Sequence, residues 1–153
     1  MSAIDERLRM LGIVLPAVPT PVANYVPFVI TGNLLFLSGQ GPRDSNGEFL
    51  RGVVGAQVSV DEAHQHARIV GLQLLATAKL VLGNLDRVSR VVKLLGMVNA
   101  VPGFGQQPAV INGCSDLLVQ VFGDAGRHAR SAVGMGSLPV NLTVEIEAIM
   151  EVR

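Results

Sequence analysis

The stretch Ser59–Val98, SVDEAHQHARIVGLQLLATAKLVLGNLDRVSRVVKLLGMV, decides the fold class. Its first part reads as a helix. Ser59 and Glu62 form a capping box, in which each side chain satisfies a free backbone N–H of the first turn. Ala63, Ala67, Val70, Leu74, Ala78 and Val81 then recur at helical spacing, and Gly83 supplies the C-terminal stop. Asn84-Leu85-Asp86 turns the chain into Val88 to Val98, a Val- and Leu-rich run short enough for a buried strand.

Upstream, Phe28-Val29-Ile30 and Leu34-Leu35-Phe36-Leu37 flank Thr31-Gly32-Asn33, a hairpin signal. Ser38-Gly39-Gln40-Gly41-Pro42 ends the second strand, and Asp44-Ser45-Asn46-Gly47 is a turn. Downstream, a loop from Asn99 to Gln107 carries Pro102, Gly103 and Gly105. Pro108 suits a first helical turn, and Val110, Ile111, Leu117, Leu118 and Val121 predict a second helix ending at Gly123. Ala129 to Gly136 and Thr143 to Val152 read as strands joined by a connection that begins Gly136-Ser137-Leu138-Pro139. In the last strand Val144, Ile146, Ala148 and Met150 share one face, with Glu145 and Glu147 opposite. The order ββ-α-β-α-ββ predicts an α+β layer with two helices covering one sheet face. The other face also holds many apolar positions and is the expected subunit contact.

Before this unit lies a segment reaching about Val22. Asp5 to Leu11 reads as a short amphipathic helix stopped by Gly12, and Pro16, Pro19, Pro21 and Pro27 impose extended chain. Arg7 and Arg9 ahead of apolar Met10 to Val18 resemble a secretory signal faintly. Asp5 and Glu6 in the would-be basic region, Pro16 within the run and the lack of an A-x-A site argue against one, so a cytoplasmic location is expected.

Composition narrows the function classes. With 12 Lys+Arg against 12 Asp+Glu the formal net charge is zero, unlike the basic excess of polyanion binders. One Cys excludes a disulfide framework and fits a reducing compartment. Charged residues are 16% of the chain, where soluble domains average roughly 25%. No run approaches the ~18 apolar residues of a spanning helix, so the apolar excess predicts surface shared between copies, a homo-oligomer. Repeats and linkers are lacking, and residues 1–153 read as one domain.

Several residues bear on chemistry. Arg130 opens a strand otherwise made of small and apolar residues and must find an acceptor: a cross-strand Glu145 or Glu147, or a ligand carboxylate that fits its planar fork. Glu145 and Glu147, taken alone, read as a solvated edge; the alternative is that one activates a water beside Arg130. His64 and His66, two apart on a helix, face different ways, complete no zinc-like set and are expected to face solvent. His128 is expected in an exposed loop, with a pH-sensitive role beside Arg130 as the alternative. Cys114 among Leu and Val predicts a buried, inert thiol. Gly103-Phe104-Gly105 and Gly39-Gln40-Gly41 lack the context of a phosphate or dinucleotide loop.

In order along the chain, Ser38-Gly39-Gln40, Asn112, Ala129-Arg130-Ser131-Ala132-Val133, Leu138-Pro139 and Val144-Glu145-Ile146-Glu147-Ala148-Ile149 resemble the YjgF-like or Rid (reactive intermediate deaminase) family. The resemblance runs from about Tyr25 to the C-terminus. It implies a chorismate-mutase-like single domain, a mixed β-sheet with two helices on one face, with residues 1–22 an extension packed on it. It also implies a homotrimer with ligand pockets between subunits. The implied reaction is hydrolysis of a 2-imino acid or its enamine to a 2-keto acid and ammonia, with neither metal nor cofactor. Carried over by position, Arg130 would clamp the substrate carboxylate and Glu145 would position the water, while Tyr25, Ser38, Asn112 and Ser131 would line the pocket. The chain departs from the family in Ala23-Asn24-Tyr25 for G-P-Y, His128 for a proline and Ala132 for a frequent cysteine, marking a divergent branch.

Three functions follow as expectations. The first is the imine hydrolase. The second is a non-catalytic binder of small carboxylates, which the altered pocket walls would suit. The third, an endoribonuclease, ranks last: the sequence shows no basic stripe, aromatic platform or acid–base His pair.

Overall fold

A computed structural model describes residues 1–20 and 23–153. The capping box of Ser59 and Glu62 forms as expected: the Ser59 hydroxyl accepts from the Glu62 amide at 3.1 Å and Glu62 accepts from the Ser59 amide at 3.0 Å. Eight elements follow in order: α1 (Ala3–Met10), β1 (Phe28–Thr31), β2 (Leu34–Gln40), α2 (Val60–Leu82), β3 (Val88–Asn99), α3 (Gln107–Phe122), β4 (Ala129–Met135) and β5 (Val144–Val152). Short 3₁₀ turns at Leu85–Arg87, Gly123–Gly126 and Pro139–Asn141 complete the path. The sheet order is β1-β2-β5-β3-β4, antiparallel except for the parallel pair β3 and β4, which α3 connects. This is the mixed α+β sheet expected from the sequence.

Period-two alternation makes the sheet two-faced. Leu35, Leu37, Val91, Leu94, Val98, Val144, Ile146 and Met150 are buried and share one core with Ala67, Val70 and Leu74 of α2 and Ile111 and Leu118 of α3. Glycine lets the two helices approach. A Cβ on Gly113 of α3 would overlap the backbone carbonyl oxygen of His64 in α2, and one on Gly71 of α2 would lie 2.8 Å from Leu117 Cδ2. Among the described residues no helix covers the opposite face. Val29 and Phe36 there remain 51% and 38% exposed, beside a shallow depression that Lys93, Leu95, Glu147 and Ile149 also line.

Some details differ from the sequence reading. β4 stops at Met135 rather than Gly136, and β5 begins at Val144 rather than Thr143. The short N-terminal helix starts at Ala3, not Asp5, because the Ser2 hydroxyl caps it by accepting from the Asp5 amide at 3.0 Å. It is a third α-helix, packed on α3 and the Leu85–Arg87 turn rather than on the sheet. Of the segment read as an extension over residues 1–22, Pro21 and Val22 lie outside the described residues.

Two carboxylates moor α1. Asp86 accepts from the Ala3 and Ile4 amides at 2.9 and 2.8 Å, and Lys79 Nζ donates to Asp5 at 2.6 Å. The Ile4 and Ala3 amides hold the Asp86 carboxyl below its ordinary range. A group with a depressed folded pKa loses its contribution as pH falls through that value, so this mooring weakens only in acid. Replacing Asp86 with alanine is expected to raise amide hydrogen exchange across residues 5–10 while exchange in α2 and α3 stays unchanged.

Candidate functional site

Arg130 is the second residue of edge strand β4 and pairs in register with fully buried Leu94 of β3, so its side chain leaves the sheet on the helix side. There α3 receives it. Arg130 Nη1 donates to the Ser115 hydroxyl at 3.0 Å, and Nη2 donates to the Pro108 carbonyl at 3.4 Å. Both acceptors are neutral. Among the described residues the ion pairs are Arg9–Glu6, Lys79–Asp5 and Arg127–Asp124, so no carboxylate of the chain neutralises Arg130. A guanidinium has five N–H donors, which leaves three to offer a ligand. Asn112 is half-buried on α3, four residues after Pro108 and three before Ser115, hence on the same helical stripe.

Glu145 is placed elsewhere. It alternates with buried Ile146 and so projects from the face that lacks helices. The strand beside it makes room at Gly39, where an added Cβ would approach Glu145 Cδ to 3.3 Å. Burial, and secondarily the charge of Glu147, push the Glu145 carboxyl above its ordinary range. Ser38 precedes Gly39, and its hydroxyl donates to the Val26 carbonyl at 2.7 Å, fastening β2 to the segment that carries Tyr25. Tyr25 and Ser38 line one cavity whose floor is the amide and hydroxyl chain of Gln40, Gln73 and Thr77. Ser131, the residue after Arg130, is exposed and points to the sheet's open face.

One chain therefore does not assemble its six nominated residues. Arg130 and Asn112 lie on the helix side of β4, Glu145 and Ser131 on the open face, and Tyr25 and Ser38 at the end of β2, where Ser38 also borders the open-face depression. Across two strand spacings and three residues of register, the Arg130 and Glu145 backbones are about 14 Å apart. The cross-strand ion pair considered from sequence does not form.

The histidines correct the sequence reading. His64 and His66 are half-buried rather than solvent-facing: their Nδ1 atoms lie 2.8 Å from the Ala109 carbonyl and 2.9 Å from the Thr143 hydroxyl. They face different partners because α2 is covered on two sides, by α3 and by the segment leading into β5. Burial lowers the pKa of His66. His128 is also half-buried rather than in an exposed loop, with Nδ1 2.7 Å from the Gly126 carbonyl and Nε2 2.9 Å from the Ser115 hydroxyl. Ser115 escaped sequence analysis, although its helical spacing from Asn112 was a usable signal. Cys114 is buried, and burial pushes its thiol up to about 12, opposed by the charge of Arg130. Among the described residues no group of three or more His, Cys, Asp or Glu is placed to hold a metal ion, and no helix is long and apolar enough to cross a membrane.

A sheet of this order, with its guanidinium at the free edge and its acid on the open face, can be set against known proteins. The model of a family described as "YjgF/chorismate mutase-like, putative endoribonuclease" matches residues 5–151. The chain belongs to the YjgF family. Within it, Protein TCP17 of Trypanosoma cruzi is 46% identical over 151 residues, 98% of this chain and 94% of that one. The match takes in the N-terminal segment as well as the sheet. A 2-iminobutanoate/2-iminopropanoate deaminase of Dermatophagoides farinae is 30% identical over 139 residues, 90% of this chain and 93% of that one. A crystal structure of a protein of unknown function from Agrobacterium tumefaciens superposes with a TM-score of 0.89 at 49% identity, covering 98% and 94% of the two chains. The family's description and the deaminase relative thus name different activities, and the fold alone does not choose between them.

Proposed function

We propose that this YjgF protein hydrolyses 2-imino acids, with their enamine tautomers, to 2-keto acids and ammonia. The reaction would occur at a site completed where copies of the chain meet as a trimer. The observation that carries this reading is the guanidinium of Arg130, held at a sheet edge by neutral acceptors with donors to spare. The relative named as a 2-iminobutanoate/2-iminopropanoate deaminase supports the substrate class.

In this reading Arg130 of one copy grips the substrate carboxylate, and the partner's Glu145 stands at the reacting carbon, with Tyr25, Ser38, Asn112 and Ser131 as walls. The open, apolar sheet face is the surface that copies share. Acting on the protonated imine, Glu145 takes a proton from water as the water oxygen bonds to C2 and the C=N π pair moves onto nitrogen, giving a neutral carbinolamine. Glu145 returns that proton to nitrogen, the C–N bond breaks with ammonia as the leaving group, and the hydroxyl proton passes to Glu145 as the C=O of the keto acid forms, then leaves on ammonia as ammonium. Imine hydrolysis has a modest intrinsic barrier, so fixing the substrate and supplying one base suffices. The chain's own residues supply each of these steps. A soluble, cytoplasmic protein of this kind would meet such imines where they are released.

The decisive experiment generates imines in situ from several amino acids and follows semicarbazide trapping against enzymatic hydrolysis. Ammonia release that outpaces the uncatalysed reaction supports the hydrolase. Saturable keto-acid binding without ammonia release would leave only a carboxylate binder.

The base has its own signature. Because burial and Glu147 favour the protonated form of Glu145, kcat should fall as pH drops through a limb above the ordinary carboxylate value of 4.5. Glu145→Gln should remove that limb and lower kcat by about 100-fold or more. The stability effect has the opposite sign. A carboxyl whose folded pKa is raised favours the fold below its unfolded pKa, and that gain is lost as pH rises through the folded value. Thermal denaturation at neutral pH should therefore find the glutamine variant no less stable than wild type.

A further inference from the structure

We infer that Ser115 and His128 are positioning residues that set the Arg130 guanidinium, through a hydrogen-bond relay with one direction. The inference rests on the reading of Arg130 as the carboxylate clamp and extends it to two residues that the reading does not use.

The direction follows from donor and acceptor arithmetic. The Gly126 carbonyl can only accept, so the tautomer that fits carries its proton on His128 Nδ1, 2.7 Å away. His128 Nε2 is then an acceptor, and the hydroxyl proton of Ser115, 2.9 Å away, goes to it. That leaves the Ser115 oxygen facing Arg130 Nη1 at 3.0 Å with lone pairs only. The ring thus turns a freely rotating hydroxyl into a fixed acceptor. A serine without His128 could aim its proton at the guanidinium, where it would repel rather than hold.

Geometry makes the relay local and rigid. Gly126 closes the 3₁₀ turn Gly123–Gly126, where an added Cβ would overlap the Leu118 carbonyl oxygen, so the turn is pressed against α3. His128 is two residues beyond that turn and two before Arg130, which ties its ring to both ends of the relay. Nη2 on the Pro108 carbonyl, two turns earlier on the same stripe of α3, gives a second point of attachment. A fork fixed at two points presents its remaining N–H groups in one orientation, lowering the ordering cost of binding a planar carboxylate.

The test separates positioning from both folding and function. In protein labelled with ¹⁵N-arginine, Arg130, assigned by its absence from Arg130→Ala, should show restricted rotation about Nε–Cζ, with separately resolved Nη signals. Ser115→Ala should average those signals and raise the Kd for 2-oxobutanoate about tenfold, while kcat at saturation changes less than twofold. His128→Ala should raise the Kd about threefold, and Ser115→Thr, which keeps the hydroxyl, should restore wild-type affinity. Wild-type signals or a wild-type Kd in Ser115→Ala would overturn the inference, as would failure of Ser115→Thr to rescue. Averaged signals in Ser115→Ala, from a wild type that binds no 2-oxobutanoate and releases no ammonia, would instead remove the hydrolase reading and leave the positioning role standing. Should Ser115→Ala fail to fold, the threonine and His128→Ala variants carry the same comparison.

Discussion

Arg130→Ala is expected to lower kcat/KM for imine hydrolysis by about 100- to 1,000-fold while leaving the assembly and its melting temperature nearly unchanged. The first half follows from chemistry. A carboxylate held by a guanidinium fork makes two charge-assisted hydrogen bonds, worth about 1.5–2 kcal/mol each, and a factor of ten is about 1.4 kcal/mol. The second half follows from structure. Arg130 is half-buried and, among the described residues, donates to the Ser115 hydroxyl and the Pro108 carbonyl alone and pairs with no carboxylate, so its removal strands no buried charge. Arg130→Lys should fall between the two, keeping the charge but losing the planar fork. Steady-state assays beside calorimetry and light scattering decide the matter. Wild-type turnover in the alanine variant would end the hydrolase proposal.

The largest effect on stability is expected at a residue with no chemistry. Gly113→Ala should destabilise the fold by about 3–5 kcal/mol, beyond ordinary overpacking, because the obstacle is backbone. The added methyl would overlap the His64 carbonyl oxygen of α2, and the Arg68 amide nitrogen lies 3.1 Å from the same point. Neither can move without shifting α2 as a whole. Gly71→Ala faces only the side chains of Leu117 and Cys114 at under 3.2 Å, with backbone no nearer than 3.5 Å, and should cost less, about 1–3 kcal/mol. Denaturant melts of the two variants test the ranking; equal midpoints would show that the helices do not cross as described. The crossing also bears on the site, since α3 carries Pro108, Asn112 and Ser115 to Arg130.

Local rules made most of this fold legible. The S-x-x-E box, the stop at Gly83, the Gly32 turn and the alternation of Val144, Ile146, Ala148 and Met150 against Glu145 and Glu147 each depend on neighbours within a few residues. The same locality explains the errors. Whether His64, His66 and His128 meet solvent depends on α3, on the approach to β5 and on the Gly123–Gly126 turn, distant in sequence or shaped by packing.

The sequence by itself determined the α+β class, the element order, the buried thiol and the candidates for chemistry, because capping, periodicity and side-chain identity are properties of short segments. Only the tertiary structure decided that Arg130 and Glu145 emerge on opposite faces of one sheet, and that Ser115 and His128 stand behind the guanidinium. Strand order and register govern both, and these arise from pairing between segments as far apart as Leu34 and Glu151, which no local pattern encodes.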